Sequence, residues 1–431
     1  MGINKTLFTG VAGLNAHGDA LGVVGDNIAN VNTAGYKAER AIFSDLLGRS
    51  MMAMNQPGSG VKLTKITRVF AQGTLLTTNS PTDLALNGQG FFVVSGQVAG
   101  RSGNFFTRAG QFALDRSGTL VNPQGMPLQG YLVTSTGELD NQLGDMRIAS
   151  SVLPPSVTSS ISVSANLDAT ETIPAAFDPA APGTTSNFST AITVYDSLGN
   201  AHRVDIYFRK STEAAAGNTW EWHALVDGGE LTGGTAGVAV ECAAGTVEFD
   251  PSGRLVNQTV TASDFDFDGA VQNQVLDFDF GDDLTGGGTG LTGTTQYAAA
   301  NTIRSQEQDG YSTGELAGVG VESNGQVLAV YSNGEQRFVG QIAIATFRAE
   351  GELARAGDNL WAQTQSSGDA RIGFASTGSA GAITAGALEQ STVDLASEFV
   401  NMISYQRGFQ ANSRTITTAD QLYQEVVNLK R

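Results

Sequence analysis

The chain has 431 residues, 41% of them hydrophobic, which is enough for several domains with their own cores; a net charge of −18 with no basic patch excludes nucleic acid as a partner. One cysteine, Cys242, excludes an intrachain disulfide, and three histidines with no motif around them leave little for metal or triad chemistry. No apolar run reaches the ~18 residues a membrane span needs, so membrane insertion is not expected.

The chain opens on a seven-residue stripe, Leu7, Leu14, Leu21 and Ile28, widened by Val11, Val24 and Val31. Near the other end Phe399 precedes a second stripe, Met402, Phe409, Ile416 and Tyr423. Such spacing supercoils one helix about another, so the two ends read as paired helices. Gly10, Gly13, Gly18, Gly22 and Gly25 interrupt the first stripe. Each costs a helix about 1 kcal/mol relative to alanine, so this helix forms only where packing supplies the difference; both terminal segments are expected to become helical on assembly among copies, the alternative being an ordinary hairpin within one chain. The same glycines let helix backbones approach closely. The first 30 residues lack a continuous apolar core, so a cleaved secretory signal is not expected.

Asn27, Asn30, Asn32 and Gly35, followed by Tyr36 and Lys37, end the first helix, since asparagine and glycine tolerate left-handed backbone. Residues 38–60 read as a linker with one short element and a loop rich in methionine and glycine. From Val61 to Ile148 short apolar runs alternate with turns: Asn87 to Gly90 separates two, and Asp115 to Gly118 separates two more. Pro154 and Pro155 mark a boundary. Beyond them alternating runs around Val194, Ile206 and Trp222, with turns at Asp196 and Asp250, describe an antiparallel β domain with one wet face. Residues 151–300 carry 19 acidic and 4 basic side chains, so this domain faces outward. A packed thiol is expected at Cys242. After the glycines from Gly286 to Gly293 the first β unit resumes, with turns at Asn324-Gly325 and Asn333-Gly334, and Ser391 with Asp394 forms a capping box for the last helix.

Two patterns carry less than they suggest. Gly288, Gly290 and Gly293 have dinucleotide-loop spacing but no amphipathic helix after them. Asp264, Asp266 and Asp268 begin like a calcium loop, yet Val275 stands where the closing glutamate belongs, and alternating Phe and Asp fit a half-buried strand better. No metal, cofactor or catalytic site is expected.

The turn from Asn27 to Lys37 resembles the signature of bacterial flagellar rod and hook proteins. The stretches Thr82–Phe92, Phe106–Gly110, Val194–Asn200, Gln308–Tyr311 and Asp358–Trp361 are similar to the same family, as is Tyr405–Asn412 with Gly408 where alanine is usual. The resemblance implies a multidomain, mainly β fold whose antiparallel domains are nested between N- and C-terminal helices paired as a coiled coil. The expected parts are a helical domain at 1–31 with 390–431, a linker at 32–64 with 362–389, an inner β domain at 65–150 with 296–361, and an outer acidic domain at 151–295. The function implied is a structural, non-enzymatic subunit of the flagellar hook, polymerising helically into a curved hollow tube that joins rod to filament as a universal joint. Implied partners are further copies, rod, hook-cap and hook–filament junction proteins and the flagellar export apparatus. The implied location is outside the cell, reached without a cleaved signal. Residues expected at subunit contacts are the two stripes with Val11, Val24 and Phe399, and the turn residues Asn27, Asn30, Asn32, Gly35 and Tyr36. Alternatives are another axial protein such as a distal rod subunit, or a secreted β-rich adhesin or calcium-binding protein.

Overall fold

The computed structural model describes residues 2–46, 58–134, 137–148, 152–214 and 217–428. The methionine-rich loop expected before Gly60 lies largely outside them. Long helices stand at both ends, Gly2–Ala29 and Leu395–Asn428, and the chain between them is dominated by strands. It folds as two compact units, one of residues 1–150, 317–330 and 336–431, the other of 151–316 with 331–335.

The first unit interleaves segments from far apart in the chain. Phe91–Val98 pairs with Arg101–Thr107 on one side and with Gln336–Thr346 on the other; Leu84–Asn87 pairs with Ala382–Ala385, and Leu75–Thr77 with Ala387–Glu389. These pairings pin the start of the chain to its end and leave the middle free to fold apart. The core beneath them is aromatic: Phe106 and Phe91 meet Phe347 edge to face at ring separations of 4.8 and 5.9 Å, and Trp361 and Leu353 close it. Burying each such ring contributes about 2–3 kcal/mol. The residues expected as a linker before Val61 include the strand Glu39–Asp45, which pairs with Val61–Arg68 into a ribbon. Asn87 to Gly90 does not close a hairpin, because the strands on either side of it pair with different partners.

The second unit is a five-stranded antiparallel sheet in sequential order, Phe188–Tyr195, Ala201–Ala214, Gly217–Asp227, Ala239–Phe249 and Leu255–Ser263, with a three-stranded sheet centred on Ser160–Asn166. Thr302–Gln308 belongs here, since it pairs antiparallel with Ser160–Asn166. The unit therefore runs past the boundary expected at 295, because a strand's membership follows its ladder partner. Trp220, Trp222, Phe208 and Phe249 are fully buried. Phe265, Phe267, Phe278 and Phe280 point into the same core while Asp264, Asp268, Asp277 and Asp279 face water, the alternation of an extended half-buried run. Asp266 Oδ1 accepts the Asn273 N–H at 2.6 Å. The glycine loop at 286–293 leads into extended backbone, where Thr295 N–H donates to Ala165 O at 2.9 Å.

Cys242 is packed in this core, where burial, reinforced by Asp264 and Asp266, pushes its thiol up to about 12. A thiol that is protonated at neutral pH is a poor nucleophile. Cys242 should therefore resist a thiol-specific reagent at pH 8 in the native protein and react completely in denaturant; stoichiometric labelling of the native protein within minutes would contradict this packing.

Candidate assembly interface

The terminal helices run antiparallel against one another. Gly10 faces Ile416, Gly13 faces Asn412, Gly408 faces His17, and Asn27 Nδ2 donates to Glu398 Oε1 at 3.1 Å. On the C-terminal helix the inward positions are Glu398, Met402, Tyr405, Phe409, Asn412, Ile416 and Ala419, alternating by four and three residues. On the N-terminal helix the positions opposite them are Gly10, Gly13, His17, Ala20, Val24 and Asn27, with the same alternation. This is a coiled-coil seam in which one helix supplies the bulk and the other the room.

The glycines provide that room. A Cβ on Gly10 would lie 2.8 Å from Ile416 Cγ1, and one on Gly13 would lie 2.6 Å from Asn412 Oδ1. The relation reverses at Gly408, where a Cβ would lie 2.7 Å from the His17 ring. Helix propensity is thus given up where backbones must come close. His17 also packs at a tilt between Phe43 of the ribbon and Tyr405, at centroid separations of 5.7 and 6.1 Å.

Beneath the seam the asparagine-rich turn forms a polar knot. Asn27 is fully buried and uses both ends of its amide: Nδ2 donates to Glu39 O at 2.7 Å, and Oδ1 accepts from Glu39 N–H at 2.9 Å and from the Tyr36 hydroxyl at 3.3 Å. Burial, with Glu39 nearby, pushes Tyr36 up to about 12, so its hydroxyl stays a donor. Asn30 Nδ2 donates to Asp26 O at 2.9 Å and terminates the helix. Gly35 has φ +70, and a Cβ there would meet Ala109 N and Arg108 C at 2.6 Å, so no other residue fits. Lys37 follows into a buried ion cluster, donating to Glu389 Oε1 at 2.7 Å and to Ala71 O at 2.6 Å, while Arg108 reaches Glu389 Oε2 at 3.4 Å. Burial pulls both Lys37 and Arg108 below their ordinary values against the opposing pull of Glu389. Removing one partner of such a cluster leaves a charge stranded, at a cost of about 3–5 kcal/mol.

The C-terminal helix is capped by Asp394 itself. Its Oδ1 accepts from Ala396 N–H at 2.9 Å and from Ser397 N–H at 3.4 Å, and these bonds hold the carboxyl below its usual range. The capping box expected from Ser391 does not form, because Gln390 and Thr392 are tied in extended conformation to Thr74 O and Tyr36 O.

Of the residues expected at subunit contacts, Met402, Phe409 and Ile416 lie in the seam and are half-buried, and Val24 is buried in it. Leu7, Leu14, Leu21 and Ile28 are half-buried one position to the side, because the bulky knobs seek the small residues rather than the leucines. Asn27, Gly35 and Tyr36 are buried within the chain, Asn30 is half-buried and Asn32 is exposed. Val11, Phe399 and Tyr423 are exposed. Phe8, Val400, Ile403 and Leu422, outside the expected set, are also exposed apolar side chains on the same helices. Their signal was a second apolar face outside the strict seven-residue stripe.

Sequence profiles match four stretches of the chain in order: "Flagella basal body rod protein" at residues 7–37, "Flagellar hook protein FlgE/F/G D1 domain" at 85–166, "Flagellar basal body protein FlaE D2 domain" at 166–311, and "Flagellar basal body rod FlgEFG protein C-terminal" at 384–429. The flagellar hook protein FlgE of Escherichia coli K12 is 36% identical over 426 residues, 97% of this chain and 98% of that protein. FlgE of Treponema pallidum is 35% identical over 474 residues, 99% of this chain and all of that protein. The crystal structure of Helicobacter pylori flagellar hook protein FlgE2 shares the fold, with a TM-score of 0.52 at 16% identity over 73% of this chain and all of that one.

Two outcomes test this geometry. Gly408→Ala should destabilise by about 1–3 kcal/mol through overpacking against His17, and in a His17→Ala background the same change should become neutral or stabilising by about 1 kcal/mol; a denaturant double-mutant cycle without coupling would contradict the contact. Because the folded Asp394 carboxyl is more acidic than the unfolded one, its cap contributes stability above the unfolded value that is lost as pH falls through the folded value. Asp394→Ala should therefore lower the melting temperature at pH 6 and have progressively less effect towards pH 2. An effect constant over that range would count against the cap.

Proposed function

The chain belongs to the flagellar hook protein family, and from that membership we propose that it polymerises helically into a curved, hollow tube joining the flagellar rod to the filament. The role is mechanical, with torque carried from subunit to subunit and no reaction catalysed. One observation supports this reading above others: the paired terminal helices bury one seam between them and still expose apolar side chains, Phe8 at 74% and Val400 at 66% among them. A helix pair in an ordinary monomer turns such residues inward. Further copies of the same chain are the natural cover, and Val11, Phe399 and Tyr423 are the expected contacts that remain available for them.

The buried members of the expected set act differently. Val24, Asn27, Gly35 and Tyr36 hold the two helices in one geometry, so that each subunit presents the same surface to the next. The acidic middle unit suits the outside of a bending tube, since polar surfaces slide with less cost than apolar ones. On the same reading its other partners are rod, hook-cap and hook–filament junction proteins, and it reaches the outside of the cell through the flagellar export apparatus without a cleaved signal.

Electron microscopy of the concentrated, purified protein tests the proposal. Hollow tubes are expected from the natural chain and none from Gly10→Val, whose added side chain collides with Ile416, while the middle unit's thermal transition stays unchanged. Failure of the natural chain to form tubes, or tubes of ordinary appearance from Gly10→Val, would contradict it.

A further inference from the structure

Each terminal helix carries a second heptad-spaced face opposite the seam. On the N-terminal helix Val11, Asn15, Asp19, Gly22, Asp26 and Ala29 are exposed, and apart from the helix's own neighbouring backbone no heavy atom of the described residues lies within 4 Å of a Cβ placed on Gly22. On the C-terminal helix Val400 is exposed and so, at steps of three and four residues, are Arg407, Ala411, Arg414, Thr418 and Leu422. The two faces are complementary in charge. Asp19 and Asp26 stand seven residues apart, as do Arg407 and Arg414, and none of the four has an ion-pair partner among the described residues.

We propose that these faces are the two halves of a seam between copies, the N-terminal helix of one subunit packing antiparallel on the C-terminal helix of the next, with Asp19 against Arg414 and Asp26 against Arg407. The inference rests on the polymerisation reading and specifies its contact. The direction follows from the chain itself. Its two helices are antiparallel, and copies related by rotation and translation along one axis keep their sense, so helices lying along that axis meet a neighbour's other helix in opposite directions. The register follows from the charges. Setting Asp19 opposite Arg414 brings Asp26 opposite Arg407, Gly22 opposite Ala411 and Val11 opposite Leu422. Small residues then meet where the backbones approach, and apolar ones meet towards the end, as in the seam within the chain. The contact is heterologous, because an acidic face meets a basic one on a different helix. Each added subunit leaves one face of each kind free, and growth is open-ended.

The test uses full-length chains with reversed charges. Asp19→Arg with Asp26→Arg makes both faces basic, and Arg407→Asp with Arg414→Asp makes both acidic; each protein should melt like the natural chain, because all four side chains are exposed. Neither should form tubes alone, whereas an equimolar mixture should, and so should the chain carrying all four changes. Milder changes, Asp19→Asn with Asp26→Asn, should raise the critical concentration several-fold and flatten its dependence on ionic strength, which keeps the test intact should a reversal fail to fold. Tubes from either reversed protein alone, or a mixture of two folded proteins that stays monomeric, would overturn the inference while leaving polymerisation itself standing. A natural chain that forms no tubes would overturn both.

Discussion

The close approach of the two terminal helices is the constraint on which the rest of the first unit depends. Gly10 and Gly13 on one helix and Gly408 on the other remove the side chains that would keep the backbones apart, and Ile416, Asn412 and His17 fill the space. Five glycines would make the first helix unstable alone, at roughly 5 kcal/mol below an alanine equivalent. Packing against the second helix has to supply that difference, so the first helix is made conditional on the second. A subunit built this way cannot present its outer helix faces unless both chain ends are in place.

The knot under the seam makes that condition stricter. Asn27 binds the ribbon strand through Glu39 and the last helix through Glu398, a residue 371 positions away in sequence. Glu389 gathers Lys37, Arg108 and the Gly73 N–H into one buried site. Buried polar groups of this kind contribute little net stability when satisfied and cost several kcal/mol when broken, so they select one arrangement rather than strengthen many. For a repeating structure that is the useful property, because small differences in subunit geometry would accumulate along a tube. The middle unit combines an apolar core of Trp220, Trp222 and phenylalanines with buried polar ties of its own, among them Lys210, which donates to Ala169 O and Glu171 O, and Asp196.

Much of this was legible beforehand, and the gaps have physical causes. Turns with aspartate or asparagine followed by glycine announced themselves at Asp115, Asp196 and Asp250, because the glycine that ends each takes a left-handed backbone. The Phe and Asp alternation marked a half-buried extended run correctly. Met402, Phe409 and Ile416 of the C-terminal stripe lie in the seam, but the N-terminal stripe lies beside it, because a reading by hydrophobicity follows leucines whereas tight helix packing follows glycines. Asn27, expected at a contact between copies, bonds within the chain to Glu39, Tyr36 and Glu398, strand, turn and helix residues that spacing alone cannot bring together. The cap at Asp394 was displaced from Ser391 by pairing with Thr74 and Tyr36, again a contact from a distant part of the chain.

The central claim is that the two ends of one chain fold as a single element held by the glycine-lined seam. Hydrogen exchange on the monomer measures this directly, read at residues 14–28 and 402–416 in the natural chain and in Gly13→Leu. The account expects slow exchange in both segments of the natural chain and simultaneous loss of protection in both on the substitution. Rapid exchange of either segment in the natural monomer, or loss in one segment alone, would contradict it.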